Sequence, residues 1–153
     1  MAGSLFDTSV WVALAFGNHP FHAAAKVAFA AADSRVPIIV CRATQHSFLR
    51  QISSPTLQAA YRANPISNRA AWSKWEELAG LPQVAFAPEP ADLSASWRRF
   101  ADRATPSPKV WMDAYLAAFA VSATFDLVTL DRDFQAYEPH GLRLRLLARA
   151  SAA

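Results

Sequence analysis

Residues 110–134 read VWMDAYLAAFAVSATFDLVTLDRDF, and from Val110 to Phe125 the only charged residue is Asp113. A segment apolar on nearly every face predicts a buried helix. A lone carboxylate on such a helix must be paired, protonated or bound to a cation. The run Leu127-Val128-Thr129-Leu130 then has the unbroken apolar character of a strand covered on both faces. It ends at Asp131, with Asp133 two residues on. The lengths match. From Asp113 to a helix end near Ser122 is about 13 Å, and Leu127 to Asp131 returns about 13 Å along a strand. Asp113 and Asp131 are therefore predicted to meet at the carboxyl edge of a sheet, where open α/β folds keep their sites. Each acid also has a plainer reading. Asp113 could simply complement a helix N-terminus opened by Ser107-Pro108, and Asp131 could be a turn residue. Taken jointly, in a matched helix–strand pair, they favour a site.

The rest of the chain supplies the sheet around that pair. Ser4-Leu5-Phe6 reads as a buried strand with Asp7 at its carboxyl end. A helix follows from Val10 to Phe16, capped by Thr8 or Ser9 and closed by Gly17. Asn18-His19-Pro20 opens a second, alanine-rich helix from Phe21 to Ala32. His19 and His22 lack a third ligand and read as helix-start surface groups. Val36 to Cys41 predicts a second strand. The helix after it, Ala43 to Ser53, carries Thr44, Gln45 and His46 in its first turn. The segment from Pro55 to Pro108 is proline-rich and less regular. Within it, Ser67 to Leu81 reads as an amphipathic helix, Val84 to Ala87 as a third strand and Ala91 to Ala104 as a helix. Leu142 to Leu146 alternates leucine with arginine, as a half-exposed strand does. Strands alternating with helices predict a single domain over residues 1–153, an α/β three-layer fold with a mainly parallel central sheet.

Clustered carboxylates without a cysteine–histidine set point to a hard cation, Mg2+ or Mn2+, held through oxygen. Such ions serve displacement at phosphodiesters. With four glycines in the whole chain, phosphate cradling by loop backbone is disfavoured, and no Gly-x-Ser-x-Gly elbow is present. If Asp7, Asp113, Asp131 and Asp133 share one pocket, eight acids remain against fifteen basic residues, a net +7 elsewhere. A basic exterior around an acidic hole suits a phosphate-backbone ligand. The low charged fraction, 18%, hints at apolar surface meant for a partner. The single cysteine, Cys41, excludes an internal disulfide and fits a reducing compartment, most simply as a small buried side chain. The apolar stretch from Thr8 to Ala25 is broken at residues 17–20 and follows an acid, so it suits neither a membrane span nor a signal peptide. A soluble, cytoplasmic protein is expected.

Several blocks in this order resemble one family. They are Leu5-Phe6-Asp7-Thr8-Ser9, Asn18-His19-Pro20 with His22-Ala23-Ala24-Ala25, and Cys41-Arg42-Ala43-Thr44-Gln45 with Phe48-Leu49-Arg50. They continue with Asp113-Ala114-Tyr115-Leu116-Ala117 and Leu127-Val128-Thr129-Leu130-Asp131-Arg132. In them the chain is similar to the PIN-domain ribonucleases, and among those to the VapC-type toxins of bacterial toxin–antitoxin pairs. The resemblance implies a PIN-like α/β/α fold and a metal-dependent endoribonuclease acting on RNA. It also implies a frequent homodimer and a cognate antitoxin that covers the site. Asp7, Asp113 and Asp131 match the family's acidic positions, and Ser9 its small polar residue beside the first acid. Where many relatives have glutamate after the threonine, this chain has Gln45.

The leading expectation is catalytic. Asp7 and Asp113 hold the principal Mg2+, Asp131 assists, and Asp133 is a further acidic ligand. Ser9 and Gln45 shape the outer shell, and Arg42, Arg50 and Arg132 contact the RNA backbone. The alternative is a PIN-fold module that binds RNA or a partner protein without cleavage, its metal site weakened by Gln45. A phosphatase-like use of Asp7 as nucleophile is disfavoured, since Asp7-Thr8-Ser9 lacks a second early acid.

Overall fold

The computed structural model describes residues 2–149. The first unit is strand β1 (Ser4–Phe6) followed by helices α1 (Thr8–Ala15) and α2 (His22–Ala30). Strand β2 (Ile38–Val40) leads through α3 (Arg42–Ile52), α4 (Pro55–Ala60) and α5 (Asn68–Ala79) to β3 (Val84–Phe86). Helices α6 (Leu93–Ala101) and α7 (Val110–Ala123) precede β4 (Asp126–Thr129). A 3-10 helix, Arg132–His140, joins β4 to β5 (Arg143–Leu146). The strands form one sheet in the order β3-β2-β1-β4-β5, with every neighbouring pair parallel.

Alternation along the central strands divides the interior in two. Leu5, Ile39 and Leu127 face a core built from α6, α7 and the 3-10 helix, including Phe100, Leu116, Phe119 and Phe134. Phe6, Ile38, Val40 and Val128 face a second core with Trp11 of α1, Phe48 of α3 and Trp75 of α5. Trp11 is wholly buried and meets Phe29, Phe48 and Trp75 edge-on at centroid separations of 6.2–6.5 Å, a favoured aromatic arrangement. Helices thus cover both faces of a parallel sheet. That is the predicted three-layer α/β/α arrangement.

The helix α7 is buried along its middle, at Ala114 and from Leu116 through Ala120, as its composition requires. It stops at Thr124, which takes the left-handed conformation at φ 59°. The Phe125 amide then donates back to the Ala120 carbonyl at 2.9 Å, and the Thr124 amide to that of Val121 at 3.2 Å. This paired closure ends a helix and turns the chain sharply. Here it sends the chain directly into β4, so Asp113 and the end of β4 return to one edge.

Several local expectations need correction. Helix α1 begins at Thr8 rather than Val10, and Asp7 takes the flanking extended position, without a side-chain cap from Thr8 or Ser9. Ser107 does not cap α7 with its side chain. Its hydroxyl donates to the Thr105 carbonyl at 3.2 Å, and the helix starts at Val110 after a turn. Helix α4 was not expected, although Ser54-Pro55 carries a start signal. The Ser54 hydroxyl accepts the Leu57 amide at 3.4 Å, and proline occupies the first turn. Trp72 shares helical spacing with buried Trp75 yet stays 49% exposed. Asp131 caps the 3-10 helix through its side chain, accepting the Asp133 amide at 2.9 Å. No helix among the described residues is long and apolar enough to cross a membrane.

Candidate metal centre

Strands β1 and β4 pair directly, with Phe6 opposite Val128, so the residues just past their carboxyl ends are neighbours. The Asp7 amide donates to the Val128 carbonyl at 2.9 Å, which extends the ladder by one step and fixes where its carboxylate emerges. Oδ2 of Asp7 accepts hydrogen bonds from Ser9 Oγ and Thr129 Oγ1, both at 2.8 Å. Those hydroxyls in turn accept backbone amides, Leu130 N–H on Ser9 at 3.3 Å and Asp131 N–H on Thr129 at 3.0 Å. With the amides feeding their lone pairs, both hydroxyl protons are committed to Asp7. The orientation of this carboxylate is therefore held from two elements at once.

Asp113, half-buried in the first turn of α7, interacts with the charges of Asp7, Asp131 and Asp133. Burial first, and these three carboxylates second, push its pKa up to about 6. Asp7 also holds its proton more tightly than an ordinary aspartate. Desolvation dominates there and Asp131 adds to it, against opposing hydrogen bonds from Thr129, Ser9 and the Thr8 amide. Asp131 and Asp133 are exposed. All four acids thus share one electrostatic neighbourhood.

Among the described residues, no three His, Cys, Asp or Glu side chains stand close enough to hold an ion by direct contact. The carboxylates interact at longer range. A donor set made only of oxygens, with two proton affinities raised by burial first and by neighbouring carboxylates second, suits a hard cation that keeps several of its waters. Asp7 and Asp113 would hold it, with Asp131 and Asp133 behind them.

The other predicted residues are dispersed. The amide oxygen of buried Gln45 accepts a hydrogen bond from Arg42 Nη1. The Arg42 guanidinium lies over the Phe86 ring of β3, 5.0 Å from its centroid. Gln45 is thereby tied to the β3 flank, two strands from the β1–β4 edge. Arg50 lies eight residues past Arg42, about 12 Å further down α3, in a groove with His46 and Trp72. Arg132 is exposed beside Asp131. His22 bonds the Ala13 carbonyl at 2.8 Å, and the His19 ring nitrogen accepts the Phe21 amide at 3.0 Å, so both serve local structure. Sequence reasoning missed Thr129 as a site residue. Its one available signal was a hydroxyl in an otherwise apolar run, two residues before Asp131.

A sequence model of the PIN domain matches residues 4–138. The chain is 44% identical over 146 residues to Ribonuclease VapC41 of Mycobacterium tuberculosis, covering 95% of this chain and 99% of that protein. The chain belongs to the PIN domain family. Within that family it is of the VapC type. Solved structures agree on the fold. VapC20 of Mycobacterium tuberculosis, a sarcin-ricin loop cleaving toxin, superposes with a TM-score of 0.62 at 18% identity, covering 91% of this chain and 95% of that one. VapBC2 from Rickettsia felis, bound to a promoter DNA fragment, gives a TM-score of 0.60 at 12% identity, covering 95% and 99%. VapBC-1 from nontypeable Haemophilus influenzae gives 0.62 at 12% identity, covering 95% and 98%.

Proposed function

We propose that this protein is an endoribonuclease toxin that uses Mg2+ or Mn2+ to hydrolyse RNA phosphodiesters. One observation carries the reading. Four aspartates from three parts of the chain share one electrostatic neighbourhood at the β1–β4 edge, where burial first and the neighbouring carboxylates second raise the pKa of Asp113 to about 6. A shift of that kind, kept at the mouth of a parallel sheet, marks functional carboxylates more often than structural ones.

When bound, the divalent ion neutralises phosphate charge and activates water for attack. The protein's own part is positional. Ser9 and Thr129 hold the Asp7 carboxylate in one orientation through hydrogen bonds of 2.8 Å. Asp113 approaches from α7 and is ionised above about pH 6. Arg132, exposed beside Asp131, is placed to grip the phosphate backbone. Arg42 stands on the β3 flank, and Arg50 would meet only RNA that runs along α3.

By analogy with the similar VapBC assemblies, the chain pairs with a small cognate antitoxin, forms a homodimer and acts in the cytoplasm. Exposed apolar residues support partner surfaces, among them Val27 at 72% exposed and Trp72 at 49%. Light scattering of the protein alone, and with the product of an adjacent small gene, tests this. A monodisperse monomer that binds no such product speaks against both partners.

The decisive assay incubates the protein with total RNA and transfer RNA in Mg2+, Mn2+ or chelator. Metal-dependent fragments, absent with Asp7→Asn, are expected. A second reading, an RNA- or protein-binding module without cleavage, is favoured by the neutral Gln45 held by Arg42. It is also favoured by the lack of three directly converging ligands among the described residues. Intact RNA under every metal condition would establish that reading instead.

A further inference from the structure

Beside the acidic edge, α6, α7 and the loop between them enclose a groove of about 660 Å3, lined by Trp97, Arg98, Arg103, Pro106 and Trp111 among others. That volume lies within the range of small-molecule sites, roughly 300–1,000 Å3. The Trp111 indole is 59% exposed at the start of α7, ahead of the buried stretch that begins at Ala114. The groove is preorganised around it. Trp97 Nε1–H donates to the Trp111 carbonyl at 2.9 Å, and the two indoles stand 6.4 Å apart at 85°. Trp97 also meets the Tyr115 ring at 5.2 Å and 83°.

Two arginines, Arg98 and Arg103, line the groove with a single acid, Asp102, so its charged lining is net positive. Neither Arg98 nor Arg103 is in an ion pair among the described residues. Arg103 Nη1 is held by the carbonyls of Phe100 at 3.1 Å and Asp102 at 3.0 Å. Its guanidinium also interacts with the Tyr137 phenol, which senses the charges of Asp113 and Asp133. Arg103 therefore stands at the border between groove and acids. Trp111 and Asp113 lie on different faces of α7 but only two residues apart, about 3 Å along the axis. A strand joining them would cross the N-terminal end of α7, where backbone amides favour phosphate.

We propose that this groove is a nucleobase subsite, in which Trp111 stacks on an unpaired base of an RNA strand while Arg103 and Arg98 hold the adjoining phosphates. The proposal rests on the ribonuclease reading and extends it to how the substrate is gripped. An indole face accepts any base, so the subsite selects for single-stranded character rather than sequence. The arginines decide for RNA over an apolar peptide, because a peptide helix leaves their charge unmatched.

The test is equilibrium binding of the full-length protein to a labelled single-stranded RNA of mixed sequence, in chelator so that the strand survives. An abasic strand of equal length serves as comparison. Trp111→Ala is expected to weaken binding of the intact strand by roughly fivefold to 150-fold. Its affinity for the abasic strand should match that of the wild type. The Trp97 hydrogen bond goes to a backbone carbonyl, so the truncation leaves it in place. Trp111→Phe should recover most of the affinity and Trp111→Leu should not, which separates stacking from bulk. Equal loss on both strands, or no loss in Trp111→Ala, overturns the subsite. So does unchanged RNA affinity combined with loss of a co-purifying small protein, which would assign the groove to that partner. A wild type that binds no RNA also overturns it. If that protein still cleaves RNA in Mg2+, the ribonuclease reading survives alone; if it does not cleave, both fail.

Discussion

Thr129 and Asp7, 122 positions apart, are joined by a 2.8 Å hydrogen bond from Thr129 Oγ1 to Asp7 Oδ2. Thr129 is fully buried, and the same oxygen accepts the Asp131 amide at 3.0 Å. One hydroxyl therefore sets the carboxylate of the first acid and the backbone of the third. It links the closure of the sheet to the geometry of the site.

Thr129→Val keeps the shape and removes that link. Hydrogen bonds to charged groups contribute about 1.5–3 kcal/mol, so urea denaturation at pH 7 should show a loss of that order. Asp7 would hold its proton still more tightly. Mg2+ affinity, read by calorimetry, should fall roughly 10- to 100-fold, as when an outer-shell partner is removed. Unchanged affinity would mean that the orientation of Asp7 is set elsewhere.

Asp113→Asn should lower RNA cleavage by more than about 100-fold, beyond the loss typical of an outer partner. Its thermal stability at pH 7 should equal or exceed that of the wild type. The substitution removes a charge that burial and three neighbouring carboxylates oppose. Full Mg2+-dependent cleavage by this variant would remove Asp113 from the mechanism.

The same residue sets a pH dependence. An ordinary aspartate releases its proton near pH 3.9, whereas Asp113 keeps it to about 6. Between those values the folded protein binds more protons than the unfolded chain, so rising pH destabilises the fold. The contribution is fully present below about pH 4 and is lost as the pH passes about 6. It is small, because Asp113 is half-exposed and solvent screens it. A cation reverses the penalty, so Mg2+ should raise the melting temperature more at pH 7.5 than at pH 5. Below about pH 6, Mg2+ affinity should fall by up to about tenfold per pH unit as the ion displaces protons. A melting-temperature gain independent of pH would contradict ligation by Asp113.

The architecture was legible where composition and length act together. The apolar α7 and the run before Asp131 predicted a descending helix and a returning strand; both elements form, and Asp113 lies within the charge influence of Asp131. Leu5, Ile39 and Leu127 reveal the sheet because each sits in a continuous apolar run. Less visible were features set by tertiary partners. Thr129 looks like any β-branched strand residue until β1 places Asp7 beside it. Nothing near Gln45 in sequence announces Phe86, which lies across a strand pair and anchors the arginine that holds it. The charge of Arg103 acquires meaning only because Tyr137 lies next to it.

The bond between Arg42 and Gln45 leads to the last prediction. From sequence alone, glutamate at position 45 should bind Mg2+ more tightly than glutamine, and alanine least, since each step removes oxygen or charge. The structure adds a competitor. Arg42 already occupies the amide oxygen and is itself anchored over Phe86. A glutamate introduced there would form a charge-assisted pair with that guanidinium, which would largely cancel its field at the acidic edge. Gln45→Glu alone should therefore change Mg2+ affinity by less than about threefold, a difference of roughly 0.6 kcal/mol. In an Arg42→Ala background the new carboxylate is free, and the same substitution should tighten Mg2+ binding by about tenfold or more. Arg42 is exposed, so its removal leaves the core intact. Calorimetric titration of the four proteins measures the coupling. A gain from Gln45→Glu that is equal with and without Arg42 would show that the arginine does not restrain residue 45. No gain in either background would place position 45 beyond the reach of the ion, leaving the aspartates to bind it without help from α3.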